Sequence, residues 1–302
     1  MTVTLGIDQT LDPRAWRSHR FGLSAGRWSA LESRGFWVTG AGTGFGRAIA
    51  TALAAAGATV YLSGRRREML EGCRAAVAEF GIQSARCHVL PLDIENPTQI
   101  TAAAALIAHG TGLHGVVNCA ALPEPVGEWP LTEIDPAQWA RLLSVNVTGS
   151  WLVTRAALPV LARSGAMRVL FLTSEAGWAS TSGFGPYNVS KAALNSLAMS
   201  LAEEVAARHP GLDVQINVLI PGEARSDMNR GSTESPFAAV PMALALLSHP
   251  VGGPNGRFFH RDGRHFAFAY AQPWDRPLTE PGAPMPATQP SWSRALLARL
   301  SR

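Results

Sequence analysis

The feature that most constrains this chain is a repeated alternation of short apolar segments with longer helical patterns. Six apolar segments of strand length lie at 36–39, 59–63, 87–93, 115–120, 168–174 and 214–220. Helical patterns separate several of them, over 66–80, 98–109, 136–163 and 187–208. Strands that are apolar throughout are buried on both faces, and strands that alternate with helices form parallel sheets. The sequence therefore predicts an α/β fold, a doubly wound parallel sheet of the Rossmann type.

We expect this fold to be a single domain over residues 35–266. The pattern is looser after Gly222, where one more helix over 237–248 and a last strand and turn over 256–263 are predicted. Only 80 residues follow Gly222, and part of them is rich in proline. That is too little for a separate substrate-binding domain.

Two segments lie outside the predicted domain. Residues 1–34 hold five Arg and three acidic residues and show no regular period. Trp16, Phe21 and Trp28 are costly to leave in water, so we expect this N-terminal arm to pack on a protein surface, of its own subunit or of a partner copy. A flexible tail for an acidic partner is the alternative. Six prolines exclude regular structure from much of the proline-rich C-terminal tail, 267–302.

Composition narrows the functional class. The net charge of +4 is concentrated at the two ends and forms no dense basic stripe, so no nucleic-acid partner is expected. Apolar runs are too short to span a membrane, and the first residues do not resemble a secretion signal. Three widely spaced cysteines suit free thiols in a reducing compartment and show no metal-ligand spacing. These features predict a cytoplasmic protein with neither membrane anchor nor metal.

A glycine-rich turn follows the first predicted strand. Residues 39–46 read Thr-Gly-Ala-Gly-Thr-Gly-Phe-Gly and lead directly into a helix. Glycines permit a tight turn and bring backbone N–H groups against a pyrophosphate at a helix N-terminus. The spacing differs from G-x-G-x-x-G, and no Gly-Lys-Ser/Thr follows as in a nucleoside-triphosphate loop. The turn predicts a dinucleotide site.

The end of the second strand indicates which dinucleotide is bound. NAD-preferring enzymes place an acidic residue there to hold the ribose 2′-hydroxyl. This strand instead ends in Ser63-Gly64-Arg65-Arg66-Arg67, and a guanidinium can bind a 2′-phosphate with two hydrogen bonds. We therefore predict NADP(H) rather than NAD(H), with Arg65 on the 2′-phosphate. The alternative is that these arginines only begin a solvated helix.

The position of the chain's one lysine indicates the chemistry. Of 26 basic residues 25 are Arg, and Lys191 stands four residues after Tyr187, on the same face of a predicted helix. A tyrosine has a pKa near 10, and a nearby ammonium group is expected to lower it toward the range useful for general acid–base catalysis. Arginine differs from lysine in shape and hydration and would not replace it easily. Tyr187 and Lys191 are therefore the predicted proton-transfer pair.

Taken together, these motifs resemble the short-chain dehydrogenase/reductase family, in its single-domain subfamily with the T-G-x-x-x-G-x-G loop. The resemblance covers about residues 35–266. It implies four catalytic residues, namely Asn146, Ser174, Tyr187 and Lys191. We expect cofactor contacts from Gly40, Thr43, Gly44, Phe45, Gly46, Arg65, Asp93, Ile94, Asn118, Ala120, Lys191, Pro221, Gly222, Ala224 and Ser226. Cys119 and Ala121 depart from the family's N-N-A-G motif, which implies slight shifts there.

The resemblance also implies the role of each catalytic residue. Ser174 and Tyr187 would bind the reacting oxygen, and Tyr187 would exchange its proton. Lys191 would bind the nicotinamide ribose, and Asn146 would anchor a water relay. The implied function is an NADP(H)-dependent oxidoreductase that interconverts a small-molecule carbonyl and an alcohol, as a homodimer or homotetramer assembled through the long helices.

Two other functions are compatible with parts of the sequence. The first is a catalytically idle fold that serves as a scaffold or as a sensor of NADP(H). The second is a sugar-nucleotide epimerase or dehydratase, which has a different glycine spacing and a larger C-terminal domain. Trp178 and Phe184, between Ser174 and Tyr187, hint at an apolar or aromatic substrate, although loop packing explains them equally well.

Overall fold

The structure is a computed structural model that describes residues 19–79, 82–83, 86–122, 130–178, 184–226 and 229–266. Trp16 and the rest of the arm before His19 lie outside the described residues. The proline-rich tail predicted for 267–302 also lies outside them.

A single sheet forms the centre of the described chain. Its strands are β1 Gly35–Thr39, β2 Thr59–Gly64, β3 Cys87–Pro91, β4 Gly115–Asn118, β5 Ala166–Leu172, β6 Asp213–Ile220, β7 Arg257–His260 and β8 His265–Phe266. They lie in the order β3-β2-β1-β4-β5-β6-β7-β8. The first seven pair in parallel, and β8 pairs antiparallel with β7. The predicted doubly wound Rossmann-type sheet is confirmed.

Helices cover both faces of this sheet. They are α1 Ala25–Ser29, α2 Gly44–Ala55, α3 Arg67–Glu79, α4 Pro97–His109, α5 Pro136–Leu143, α6 Ser150–Ala162, α7 Pro186–Arg208 and α8 Val240–Leu247. Alternate residues of a strand point to opposite faces. Accordingly, Phe36 and Val38 belong to the core that α2, α3 and α8 cover, and Trp37 belongs to the core under α4, α6 and α7. The strands are apolar throughout because both faces are buried.

The strand order positions the site. The chain runs outward from β1 to β3 and then crosses back to place β4 on the other side of β1. In open α/β sheets, ligands bind outside the carboxyl ends of the strands at such a reversal. The glycine turn follows β1 at this point.

Several elements differ from the sequence prediction, among them α1, which lies in the arm, and the two described next. The helix expected over 136–163 is two helices joined by a π-helical turn, Ser144–Gly149, which contains the buried Asn146. A helix that changes its hydrogen-bonding register in this way often marks a functional position. The second difference is β8, a two-residue strand that the sequence pattern did not predict.

The described part of the arm packs on its own subunit. Phe21 is only 4% exposed, and its ring stacks on that of Phe237 at a centroid distance of 6.4 Å. Trp28 lies on another side of Phe21, also at 6.4 Å. The Arg27 guanidinium donates a hydrogen bond to the Ala245 carbonyl, and burial lowers the pKa of Arg27. Arg27 therefore binds the main chain of its own subunit.

Candidate active site

A cleft of about 870 Å³ opens at the carboxyl ends of the strands. Most of the predicted site residues line it: Gly40, Thr43, Gly44, Phe45, Gly46, Arg65, Asp93, Ile94, Ala120, Ser174, Tyr187, Lys191, Pro221, Gly222, Ala224 and Ser226. Side chains from sequence positions more than 180 residues apart thus meet at one edge of the sheet. Asn118 and Asn146 are not among its lining residues.

The glycine turn brings main chain close to main chain. Gly40 has φ +66°, and a Cβ there would lie 2.9 Å from the Ala120 nitrogen. A Cβ on Gly46 would lie 2.3 Å from the Gly40 carbonyl oxygen. Below the turn, the Thr39 hydroxyl accepts hydrogen bonds from the backbone N–H groups of Cys119 and Ala120, both at 3.2 Å. The glycines thus let main chain approach main chain in a tight turn at the N-terminus of α2, which fits a diphosphate.

The three arginines after β2 have separate positions. Arg65 and Arg66 line the cleft, whereas Arg67 forms an ion pair with Glu71 on α3, at 3.6 Å. No acidic residue stands at the end of this strand, where Ser63 and Gly64 are followed directly by Arg65. The end of β2 therefore suits an additional phosphate better than a bare ribose.

Ser174, Tyr187 and Lys191 meet on the other side of the cleft. Ser174 lies two residues beyond β5, where its hydroxyl accepts a hydrogen bond from the Ala176 N–H at 3.1 Å and is also hydrogen-bonded to the Tyr187 side chain. Tyr187 and Lys191 lie one turn apart at the start of α7. The buried Lys191 Nζ donates to the Leu172 carbonyl at 3.2 Å and lies 5.4 Å from the Tyr187 ring centroid. The structure brings the predicted catalytic trio together.

The direction of the Tyr187 pKa shift corrects the sequence prediction. Burial raises the pKa of Tyr187 to about 12, the hydrogen bond from Ser174 opposes this shift, and the Glu175 carboxylate adds to it. Burial also lowers the pKa of Lys191 to about 8, because its ammonium group is desolvated. Burial and Glu175 thus raise the pKa of Tyr187, where the sequence predicted that Lys191 would lower it.

The two predicted asparagines, Asn118 and Asn146, are buried and do not line the cleft. The Asn146 side chain accepts a hydrogen bond from the Leu122 N–H at 2.8 Å and donates to the Leu122 carbonyl and to the Ser190 hydroxyl. Leu122 lines the cleft, and Ser190 precedes Lys191 on α7, so Asn146 joins the cleft wall to the catalytic helix. Asn118 donates to the Thr154 hydroxyl at 3.0 Å and joins β4 to α6.

Several cleft residues were not predicted from the sequence. They are Glu175, Glu223, Glu234, His260, Arg261 and Arg264. His260 Nε2 lies 3.4 Å from the Glu175 carboxylate, and Arg261 donates to the Glu223 carbonyl at 3.1 Å. The available signal was the predicted last strand at 256–263, since a strand parallel to β6 must end at the same edge. Trp178 and Phe184, which lie between Ser174 and Tyr187 in the sequence, also line the cleft.

The described residues were also searched for metal sites and for membrane-spanning helices. Within them, no group of three or more His, Cys, Asp or Glu side chains is placed to hold a metal ion. No helix among them is both long enough and apolar enough to cross a membrane.

Comparison with known proteins identifies the family. The model of the short chain dehydrogenase family matches residues 36–236. Dehydrogenase/reductase SDR family member 4 from Bos taurus is 31% identical over 244 residues, which cover 80% of this chain and 84% of the bovine protein. The chain therefore belongs to the short-chain dehydrogenase/reductase family of oxidoreductases.

Solved structures agree with this assignment. A short chain dehydrogenase from Pseudomonas syringae is 29% identical and superposes with a TM-score of 0.70, covering 77% of this chain and 96% of that protein. A short chain dehydrogenase from Escherichia coli CFT073, solved in complex with NADPH, is 29% identical with a TM-score of 0.69 and covers 78% of this chain and 98% of its own.

Proposed function

We propose that this protein is an NADP(H)-dependent oxidoreductase that interconverts a carbonyl and a secondary alcohol, with Tyr187 as its general acid and base. The observation that carries the proposal is the hydrogen-bonded Ser174–Tyr187 pair, with Lys191 one helical turn away, in the cleft that the glycine turn enters. A fold used only as a scaffold has no need of this arrangement.

The chain's residues supply binding and proton transfer. A dinucleotide bound on the glycine turn would supply or accept the hydride. Ser174 and Tyr187 hold the substrate oxygen through their hydroxyl groups, and Tyr187 gives up its proton as the oxygen gains charge. Since the Tyr187 pKa is raised to about 12, the proton stays on the phenol at neutral pH. This is the protonation state that a proton donor needs in carbonyl reduction.

Lys191 and Asn146 are proposed to assist Tyr187, the first in proton transfer and the second in positioning. Lys191 is only 4% exposed, and its pKa of about 8 leaves it readily able to gain or lose a proton near neutrality. We propose that it binds the nicotinamide ribose and passes protons toward Tyr187. Asn146 holds Leu122 and Ser190 in place and so fixes the start of α7, in addition to its proposed role in a water relay.

NADP(H) is the proposed cofactor because of the charge at the end of β2. Arg65 and Arg66 line the cleft, and the sequence places no acidic residue at the end of β2, where it would repel a 2′-phosphate. The E. coli relative solved with NADPH is consistent with this choice.

The oligomeric state is a further proposal. We propose a homodimer or homotetramer that uses α6, where Trp151 is 37% exposed and the Arg155 guanidinium lies 5.3 Å from its ring. Light scattering measures the oligomeric state directly.

We also propose a cytoplasmic location. The three cysteines are free thiols, which suits the cytoplasm.

The test is a panel of ketones, quinones and sugar carbonyls, each assayed by loss of NADPH absorbance and repeated with NADH. We expect turnover of at least one class of carbonyl, with NADPH preferred. Tight binding of NADPH without turnover of any of these carbonyls would instead support the idle scaffold or sensor. Equal affinity for NADH and NADPH would refute the cofactor proposal.

A further inference from the structure

A glutamate and a histidine face each other on the Ser174 side of the cleft. Glu175 follows Ser174 after β5, and His260 is the last residue of β7. The His260 Nε2 atom lies 3.4 Å from the Glu175 carboxylate. Since β6 lies between β5 and β7 in the sheet, the two side chains meet across the carboxyl end of β6. Both residues line the cleft, and their side chains are 32% and 14% exposed, so a ligand in the cleft can reach them.

Neighbouring contacts hold this Glu175–His260 pair in place. The His260 Nδ1 atom lies 2.9 Å from the Asp262 carboxylate, which fixes the plane of the imidazole ring. Trp178, three residues after Glu175, packs edge to face on Phe258, two residues before His260, at a centroid distance of 4.6 Å. The same two segments thus contact each other at an apolar ring pair and at the polar pair. The orientation of the Glu175–His260 pair is therefore set by the fold before a ligand binds.

The chemistry of the Glu175–His260 pair suits a hydroxyl group. An ionised carboxylate only accepts hydrogen bonds, a protonated imidazole donates from both nitrogens, and a hydroxyl group does both. The 3.4 Å between His260 Nε2 and the Glu175 carboxylate exceeds the roughly 2.7–3.2 Å of a good N–H···O hydrogen bond. The direct contact between the two groups is therefore weak. A ligand hydroxyl can replace it by donating to Glu175 and accepting from His260.

The Glu175 carboxylate is close to the groups that would hold the reacting oxygen. Ser174 directly precedes Glu175, and its hydroxyl is hydrogen-bonded to Tyr187. The charge of Glu175 also reaches Tyr187, since it contributes to the raised pKa of that phenol. A substrate whose oxygen binds Ser174 and Tyr187 would therefore place the carbon atoms beside its carbonyl near Glu175. Trp178 and Phe184, which line the same cleft, provide apolar surface for the rest of such a substrate.

We propose that Glu175 and His260 bind a hydroxyl group next to the reacting carbonyl, so that the preferred substrates are hydroxyketones with an apolar or aromatic remainder. This inference rests on the proposed function, because it assumes that a carbonyl oxygen binds Ser174 and Tyr187. Glu175 accepts the hydrogen bond of the hydroxyl group, and His260 holds the carboxylate and donates to the hydroxyl oxygen. A site built to bind a hydroxyl group discriminates against the analogue that lacks it, because its polar groups then lose a partner.

Two ketones that differ by one hydroxyl group test the proposal. The probes are α-hydroxyacetophenone and acetophenone, and kcat/KM with NADPH is measured for each. The variants are Glu175→Gln, which removes the carboxylate, and His260→Phe, which keeps a ring but removes both nitrogens. Glu204→Gln is the matched control, because it makes the same exchange at an exposed position on α7. The readout is the ratio of the two kcat/KM values, since a change in the proton transfer of Tyr187 affects both ketones and cancels.

We expect the unmutated protein and the control variant to prefer the hydroxyketone by about tenfold, the order of effect of a hydrogen bond to a charged group. In Glu175→Gln and in His260→Phe, the ratio should fall to within about twofold of one, because the hydroxyl group no longer has this site. A ratio near one in the unmutated protein overturns the proposal. An unchanged ratio in either variant overturns it as well.

A third ketone, α-aminoacetophenone, separates a hydroxyl group from a cation. We expect the hydroxyketone to be preferred, because a protonated His260 repels an ammonium group. Preference for the aminoketone would assign Glu175 to a cationic substrate and overturn the hydroxyl proposal.

Binding measurements keep this proposal separate from the proposed function. If the unmutated protein turns over no carbonyl, the proposed function fails, and calorimetry on the NADPH complex then decides whether the hydroxyketone binds more tightly than acetophenone. Equal binding of the two ketones, or binding of neither, overturns the hydroxyl site, whereas turnover of other carbonyls would leave the proposed function standing.

Discussion

Backbone atoms form most of the surface at one end of the cleft, and side chains form most of it at the other end. At the cofactor end, the turn after β1 consists mainly of backbone, and a Cβ at Gly40 or Gly46 would collide with neighbouring main chain. At the other end, side chains make the surface. His260 lies between Glu175, at 3.4 Å, and Asp262, at 2.9 Å.

This difference separates the part of the cleft that is suited to a shared cofactor from the part whose side chains are specific to this chain. A backbone cradle binds the same ligand fragment wherever it occurs, because its N–H groups have one geometry. A side-chain network changes with each substitution and so determines which substrate is accepted. We therefore expect substrate preference to depend on the ends of β5 and β7, where Glu175, His260 and Arg261 line the cleft.

The largest effect is expected from removing the proton donor. Tyr187→Phe should lower kcat by about a hundredfold or more, because general acid catalysis contributes 10²–10⁴-fold, while NADPH binding changes little. Tyr61→Phe is the control, since Tyr61 is a buried tyrosine on β2 whose hydroxyl bonds Thr111 away from the cleft. A Tyr187→Phe enzyme that retains activity within about tenfold of the unmutated protein contradicts the assignment.

A large effect is also expected from exchanging the chain's one lysine. Lys191→Arg should lower kcat by at least about tenfold, because a planar guanidinium does not fit the buried site where Nζ meets the Leu172 carbonyl. Steady-state kinetics and a melting curve distinguish lost chemistry from misfolding. A variant with normal kcat would show that the position requires only a positive charge.

Substitutions at the cofactor end of the cleft should change the affinity for the cofactor rather than kcat. Arg65→Ala is expected to weaken NADPH binding by roughly tenfold to a hundredfold, because a charge-assisted phosphate contact is lost, and to leave NADH binding unchanged. Arg67→Ala is the control, since Arg67 pairs with Glu71 outside the cleft. Similar losses in both variants would mean that general positive charge, not a defined contact, selects NADPH.

The smallest effect on catalysis is expected from the arm. Phe21→Ala should lower the free energy of unfolding by about 2–4 kcal/mol, since a buried aromatic ring is removed, but should leave kcat unchanged. Deleting residues 1–30 should likewise lower Tm. Leu106→Ala, at an exposed position, is the control. If neither arm variant changes stability, the packing of Phe21 on Phe237 contributes nothing measurable.

Much of the fold was predictable because its signals are local. Each strand carries its own apolar run, and the glycine turn, the arginines after β2 and the Tyr187–Lys191 spacing are each contained within a few residues. The π-helical turn at Ser144–Gly149 was not predicted from periodicity, since one shifted hydrogen-bonding register leaves the apolar pattern nearly intact.

The sequence by itself determined the order of elements, the position of the glycine turn and the candidate proton-transfer residues. Tertiary structure alone decided that His260 and Arg261 face Glu175 and Glu223, because parallel pairing of β6 with β7 brings those distant segments to one edge. It also decided the direction of the Tyr187 pKa shift. A spacing of four residues places Lys191 near Tyr187, but desolvation depends on everything that packs around the phenol, and here desolvation is the largest cause of the shift.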